Sequence, residues 1–212
     1  IQESGFDSLT QYELWKAIWS ALNDVNMFEL AWALERHAGF MEQFLPQTFV
    51  GNHDVTRIAS KLRDERHLPH AIALLLTLPG IPSIYAGDEQ AFRGIKEERA
   101  GGDDAIRPAF PARPSELAPY GWPTYRLHQD LIALRRRHPF LQRARVRVEH
   151  RDNPSLVYTC EGDGRALSVA LNLSDAPMRL QRPLRALLSN RSTQPTDTSQ
   201  VQPHGFVIGE PR

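Results

Sequence analysis

Cysteine is almost absent from this 212-residue chain: Cys160 stands alone, which excludes an internal disulfide framework. Net charge is absent as well. Twenty-five Lys and Arg cancel 25 Asp and Glu, so no overall field argues for nucleic acid or an anionic membrane as partner. No apolar stretch is long enough to span a bilayer. Neither a Gly-x-Ser-x-Gly elbow nor a phosphate-cradling glycine loop occurs, which leaves two common catalytic designs without support. A charged-then-apolar leader is missing ahead of Ile1. The start therefore reads as a cut or processed end, and the single cysteine with no leader favours the cytoplasm. What remains is ordinary for a globular protein, 41% hydrophobic and 24% charged, and long enough for one or two domains with a real core.

Helical periodicity dominates the first part. Leu14, Trp15, Ile18, Trp19 and Leu22 form one apolar stripe. Asn26 and Glu29 are placed to cap a second helix, with Phe28, Leu30, Ala31 and Leu34 inside and Gly39 just past its end. Ile58 and Leu62 suggest a short helix. Pro69 opens a strongly apolar one, Ala71–Leu78, stopped by Pro79-Gly80. Apolar runs at Thr48–Gly51 and Ile81–Ala86 read as strands. From Asp88 to Trp122 the pattern dissolves into a stretch rich in glycine, proline and charge, and loops of this length are usually functional or disordered. Pro123 starts a last helix carrying Leu127, Leu131 and Leu134, ending in Arg135-Arg136-Arg137-His138, where cations suit the helix macrodipole. Beyond Arg143 the period becomes two, at Val146 and Val148, Leu156 and Tyr158, Leu167, Val169 and Leu171, then Phe206 and Ile208, as in an antiparallel sandwich.

The most informative stretch is Thr48-Phe-Val-Gly-Asn-His-Asp54. A short apolar run ends abruptly in Asn52, His53 and Asp54, which is how a buried parallel strand reads when its C-terminal end opens into an active site. This run resembles the strand-seven signature of the α-amylase family of glycoside hydrolases. Leu78-Pro-Gly-Ile-Pro-Ser-Ile-Tyr-Ala-Gly-Asp-Glu89 resembles that family's strand-eight signature, with Ala86 where a second tyrosine is usual. The two follow one another after one helix-sized stretch, as a β–α–β unit requires. By the resemblance, Asp54 matches the acid that stabilises the transition state, and His53 matches the histidine contacting the same sugar, with Asn52 beside them. Asp103-Asp104-Ala-Ile-Arg107-Pro108 is similar to a loop whose arginine reaches the sugar, which makes Arg107 and Asp104 candidate substrate contacts.

The resemblance implies an α/β fold, the C-terminal part of a (β/α)8 TIM barrel followed by a small all-β antiparallel sandwich. Residues 1–140 would hold barrel strands six to eight with their helices, and residues 141–212 the sandwich. A complete barrel needs about 250 residues. A retaining glycosidase also needs a nucleophilic carboxylate and a carboxyl acid/base flanking the scissile bond. In this family those sit on strands four and five, and neither motif occurs here. The expectation is a fragment of a retaining α-glycoside hydrolase acting on α-glucans or α-glucosides, inactive alone. Two alternatives stand: a fragment of an α-glucan transglycosidase or trehalose-forming enzyme, and a non-catalytic carbohydrate-binding or interaction protein. The expected partners are an oligosaccharide substrate and the missing N-terminal barrel half, with no nucleic acid and no membrane. No cofactor is expected in this chain, although the family makes calcium possible in the intact protein.

Several residues admit a plainer role. Asp54 also suits an Asx turn or a helix N-cap, and His53 a satisfied core histidine. Arg57 would either orient the Asp54 carboxylate or face solvent. Asp88 and Glu89 are expected to hold loops by accepting backbone N–H bonds. Thr10 with Glu13 fits a capping box, whereas the resemblance makes Asp7–Tyr12 the sixth barrel strand. His67 and His70 have helical spacing without a third zinc-type ligand, and read as a surface pair.

Overall fold

The structure, a computed structural model, describes residues 1, 3–190 and 196–212. Helices α1 (Tyr12–Asp24) and α2 (Met27–Met41) form a packed pair. The Leu14, Ile18 and Leu22 stripe is buried between elements, as its period requires. Val25 turns the chain in the left-handed region (φ 48), and Asn26 then caps α2 by accepting from the Phe28 N–H at 3.2 Å.

Local expectations fail here in instructive ways. No capping box forms at Thr10: α1 begins after Gln11 without a side-chain cap, and Glu13 instead pairs with Arg36 on α2. Thr10 makes an isolated parallel bridge to Gln47, flanked by Gln47 N–H to Leu9 O and Gln11 N–H to Gln47 O, each 2.9 Å. Phe28 points outward, and α2 runs on through Gly39 to Met41. Glu29 does not fold back on its own helix end but accepts from Ser20 at 2.6 Å and pairs with Lys16.

The strands β1 (Gln47–Phe49) and β2 (Ile81–Ser83) are parallel, in register from Gln47↔Ile81 to Phe49↔Ser83. Both are shorter than their apolar runs. Between them lie the four-residue α3 (Ile58–Lys61) and α4 (Leu68–Thr77), which is buried nearly all round and so lacks a polar face. Gly80 holds the turn into β2 with φ +104, where a Cβ would come within 2.6 Å of the Pro46 carbonyl. Arg135 of α5 (Trp122–Arg137) does not serve its own helix end. It donates to the carbonyls of Leu76, Leu78 and Gly80 at 2.8–3.0 Å, filling acceptors left open where α4 stops. The long segment before α5 is structured: short 3₁₀ turns punctuate it, Ile106 is buried, and Gly94 and Lys96 are laced to Ser60 and Thr56.

The remaining strands form one six-stranded antiparallel sheet rather than two separately bonded ones. They are β3 (Arg145–Asp152), β4 (Ser155–Gly162), β5 (Arg165–Asn172), β6 (Met178–Ser189), β7 (Thr196–Val201) and β8 (Gly205–Pro211), in the order β3-β4-β5-β8-β6-β7. Register shifts break β6 between Arg179 and Leu184 and between Ala186 and Leu188. Alternate residues face opposite ways, so two apolar layers result. Tyr158, Val169 and Phe206 join the helices in one continuous core, while Ala170, Leu184, Val201 and Val207 build a second cluster on the other face. Where α4 meets the sheet, His67 and His70 are both buried, contrary to a surface pair. His70 Nε2 donates to the carbonyls of Gly205 (3.0 Å) and Asn172 (3.3 Å), and burial pushes its pKa down to about 4.

Candidate active site

β1 delivers Asn52, His53 and Asp54 to one end of the parallel pair. The tip is fixed locally: Asn52 Oδ1 accepts from the Asp54 N–H at 2.8 Å, so the Asx turn belongs to Asn52. Its Nδ2 donates to the hydroxyl of Tyr12 at 2.9 Å, and Tyr12 packs edge-on against Phe49 of β1. Asp54 caps no helix, because α3 starts four residues later, after Arg57, without a side-chain cap. Its carboxylate meets His53 Nε2 at 3.4 Å and Arg107 Nη2 at 3.3 Å. With side chains 65% and 48% exposed, His53 and Asp54 face open space, and His53 is not a core histidine.

Arg107 gathers the cluster from the far side. Its Nε donates to the His53 carbonyl at 2.9 Å, and Nη2 lies 2.7 Å from Asp103 Oδ2. One guanidinium thus spans two carboxylates and the backbone of the motif. The sequence pointed to Asp104, but Asp103 is the acid that completes this bridge, and Asp104 heads the 3₁₀ turn leading to Arg107. Tyr12 and Asp103 were the partners missed; the i,i+4 spacing of Asp103 and Arg107 was the one signal available for them. Such exposed ion pairs contribute only about 0–1 kcal/mol each, so their consequence is position rather than stability.

Arg57 does neither of the two things expected of it. It is buried, with its guanidinium held by Asp88 and two backbone carbonyls. Nη1 donates to Asp88 Oδ1 (2.9 Å) and the Ala86 carbonyl (2.8 Å), Nε donates to the Ile106 carbonyl (2.9 Å), and the guanidinium lies 4.1 Å over the Tyr85 ring. Asp88 therefore accepts from a side chain rather than from backbone, whereas Glu89 accepts from the Gly87 N–H at 2.9 Å as expected. Burial pushes the Asp88 carboxyl up to about 6 although Arg57 pulls it down. Its Oδ2 is buried without a hydrogen-bond partner and sits over Gly51, where a Cβ would approach within 2.1 Å. This strut locks the segments after β1 and β2 together beneath the exposed cluster.

Among the described residues, a cleft of about 610 Å³ runs between α2 and β3 and includes no residue of the motif. Asn52, His53, Asp54 and Arg107 instead form an open ledge on the tip of a strand, carrying one carboxylate, one imidazole and one guanidinium. The family model "Alpha amylase, catalytic domain" matches residues 6–119, and the chain belongs to the α-amylase family. It is 28% identical over 165 residues to a 4-alpha-glucanotransferase of Thermotoga neapolitana, covering 65% of this chain and 37% of that protein. It is 30% identical over 151 residues to a cyclomaltodextrin glucanotransferase of Niallia circulans, covering 71% and 20%. The solved α-amylase of H. orenii superposes with a TM-score of 0.78 at 19% identity, over 99% of this chain and 50% of that one. AmyP, solved in complex with maltose, gives 0.79 at 14% identity over 96% and 50%. The family is one of enzymes acting on α-glucans. The chain spans only about a fifth to two fifths of the length of these curated relatives.

Proposed function

We propose that this chain is the C-terminal part of a retaining α-glucan glycosidase, contributing the transition-state-stabilising carboxylate, Asp54, to an active site completed by other segments. The observation carrying this reading is the convergence of His53, Asp54 and Arg107 at the tip of a parallel strand, with the acid held by a guanidinium and open to a ligand. In this reading β1 and β2 are barrel strands seven and eight, the Thr10 bridge is the remnant of strand six, residues 1–140 are barrel and residues 141–212 are the sandwich domain. An ionised carboxylate near the developing oxocarbenium ion stabilises its positive charge. His53 and Asn52 contact the same sugar, and Arg107 keeps Asp54 in place, with Asp104 at the edge of the subsite. The nucleophile and the acid/base come from the absent half, which is also the chain's principal partner. A transglycosidase parent shares this apparatus, and the glucanotransferases among the relatives favour giving that alternative equal standing.

No cofactor is assigned to this chain in this reading, and calcium stays possible only for the intact protein. Among the described residues, the group of three side chains able to share an ion is Asp64, His67 and His204, whose imidazoles do not suit calcium's preference for six to eight oxygens. Asp54→Asn in the intact protein tests the assignment. The substitution is isosteric, so thermal stability should hold while kcat falls at least about a hundredfold, the scale of losing one preorganised stabiliser. An Asp54→Asn enzyme with unchanged kcat would show that Asp54 is only structural.

A further inference from the structure

Outside the sugar site, a cluster of side chains fastens the helices to the sheet. Asp64 caps the 3₁₀ turn Glu65–His67 that leads into α4, His67 ends it, and His204 stands in the turn between β7 and β8. His67 Nε2 and His204 Nδ1 face each other at 3.1 Å, with the rings stacked at 5.3 Å. The outer side of each ring meets an acceptor. Asp175 Oδ1 lies 2.7 Å from His204 Nε2, and the Leu22 carbonyl faces the His67 ring. These acceptors call for protons on the outer nitrogens, which leaves two lone pairs pointing at one another. Such a pair repels unless a cation lies between them.

A carboxylate or carbonyl holding the outer nitrogen is the arrangement that orients metal-binding histidines. The Asp64 carboxylate supplies a third donor, with the three ligand atoms all within 4.8 Å of one another. Donors bound to one tetrahedral zinc at about 2.0–2.1 Å sit about 3.3 Å apart, close to the imidazole separation found here. His204 also occupies the left-handed region, φ 48, which is uncommon outside glycine and costs conformational energy. We propose that Asp64, His67 and His204 bind one divalent transition-metal ion of the zinc type, tying the approach to α4 to the β7–β8 turn. Two imidazoles and a carboxylate, with solvent as fourth ligand, suit zinc rather than calcium or magnesium. The competing cation is Arg66, which forks onto both Asp64 oxygens at 2.7–3.0 Å and lies 3.6 Å from Asp175. Its side chain is 58% exposed and can turn outward. His70 takes no part, because its Nε2 is engaged by the Gly205 and Asn172 carbonyls.

The test uses the untagged 212-residue chain, stripped of metal and then given zinc. Elemental analysis after gel filtration should find one ion per chain, and saturating zinc should raise the melting temperature by several degrees, since a ligand of the folded state stabilises it. His204→Asn should abolish both effects and still fold, because asparagine tolerates the left-handed backbone. Asp64→Asn, at a half-exposed position, gives an independent second variant with the same expected loss. A wild-type chain that retains no zinc and melts unchanged would overturn the site and leave a proton between the rings. Equal retention by wild type and both variants would overturn it too, by putting the ion elsewhere.

Discussion

Burial decides how individual charges behave in this protein. Asp88 and Arg57 form an ion pair inside the molecule, and the carboxyl is nonetheless raised from 3.8 to about 6. An acid whose pKa is raised by folding holds its proton more tightly in the folded chain. Its contribution to stability is fullest below about 3.8 and is lost as pH rises through about 6, a change on the order of 3 kcal/mol. Arg57 and Glu89 are the charges that face it. His37, His70 and His128, whose pKa values burial lowers, act in the opposite sense. The diagnostic quantity is therefore a difference. The urea-unfolding free energy of Asp88→Asn minus that of wild type should grow more favourable between pH 4 and pH 7, and parallel profiles would show that Asp88 does not titrate there. At this scale the sequence singled out Asp54, His53 and Arg107, which the fold brings together, because they stand in short local motifs. It hid Asp88–Arg57 and Asn52–Tyr12, whose members are 31 and 40 residues apart and meet only through tertiary packing.

Among the elements, Gly51 links β1 to the site. A methyl group there would overlap Asp88 Oδ2, which is held from the other side by Arg57. Gly51→Ala should cost about 1–3 kcal/mol, the usual penalty of overpacking, read as a lowered urea midpoint with an unchanged slope. A neutral Gly51→Ala would mean that the strut is loose. The helices were legible in advance because a 3.6-residue apolar period leaves a strong signal, and α1, α2, α4 and α5 lie close to where it placed them. The strands β6 and β7 were missed for a physical reason. Pro183 interrupts β6 within its bulged stretch, where ladder bonds are missing anyway. β7 is an edge strand with Val201 as its one buried apolar residue, so it carries almost no alternation to detect.

For the whole molecule, the uneven distribution of pairing should show in its dynamics. The sheet from β3 to β8 is bonded along long strands, whereas β1 and β2 pair over three residues and leave Leu9, Tyr12, Ile81 and Ile84 exposed nearby. Unpaired strand edges and apolar patches drive association. The chain alone should self-associate or seek another chain, with slow hydrogen exchange in Val146–Leu171 and faster exchange at Phe49–Gly51. A monodisperse monomer with equal protection in both regions would contradict the truncated-barrel reading. The central claim is that this chain holds a stabilising carboxylate without a nucleophile or acid/base to act with it. Turnover of a maltooligosaccharide by the purified 212-residue chain tests this most directly. The account predicts no release of shorter sugars above the uncatalysed background, and repeated turnover abolished by Asp54→Asn would contradict it.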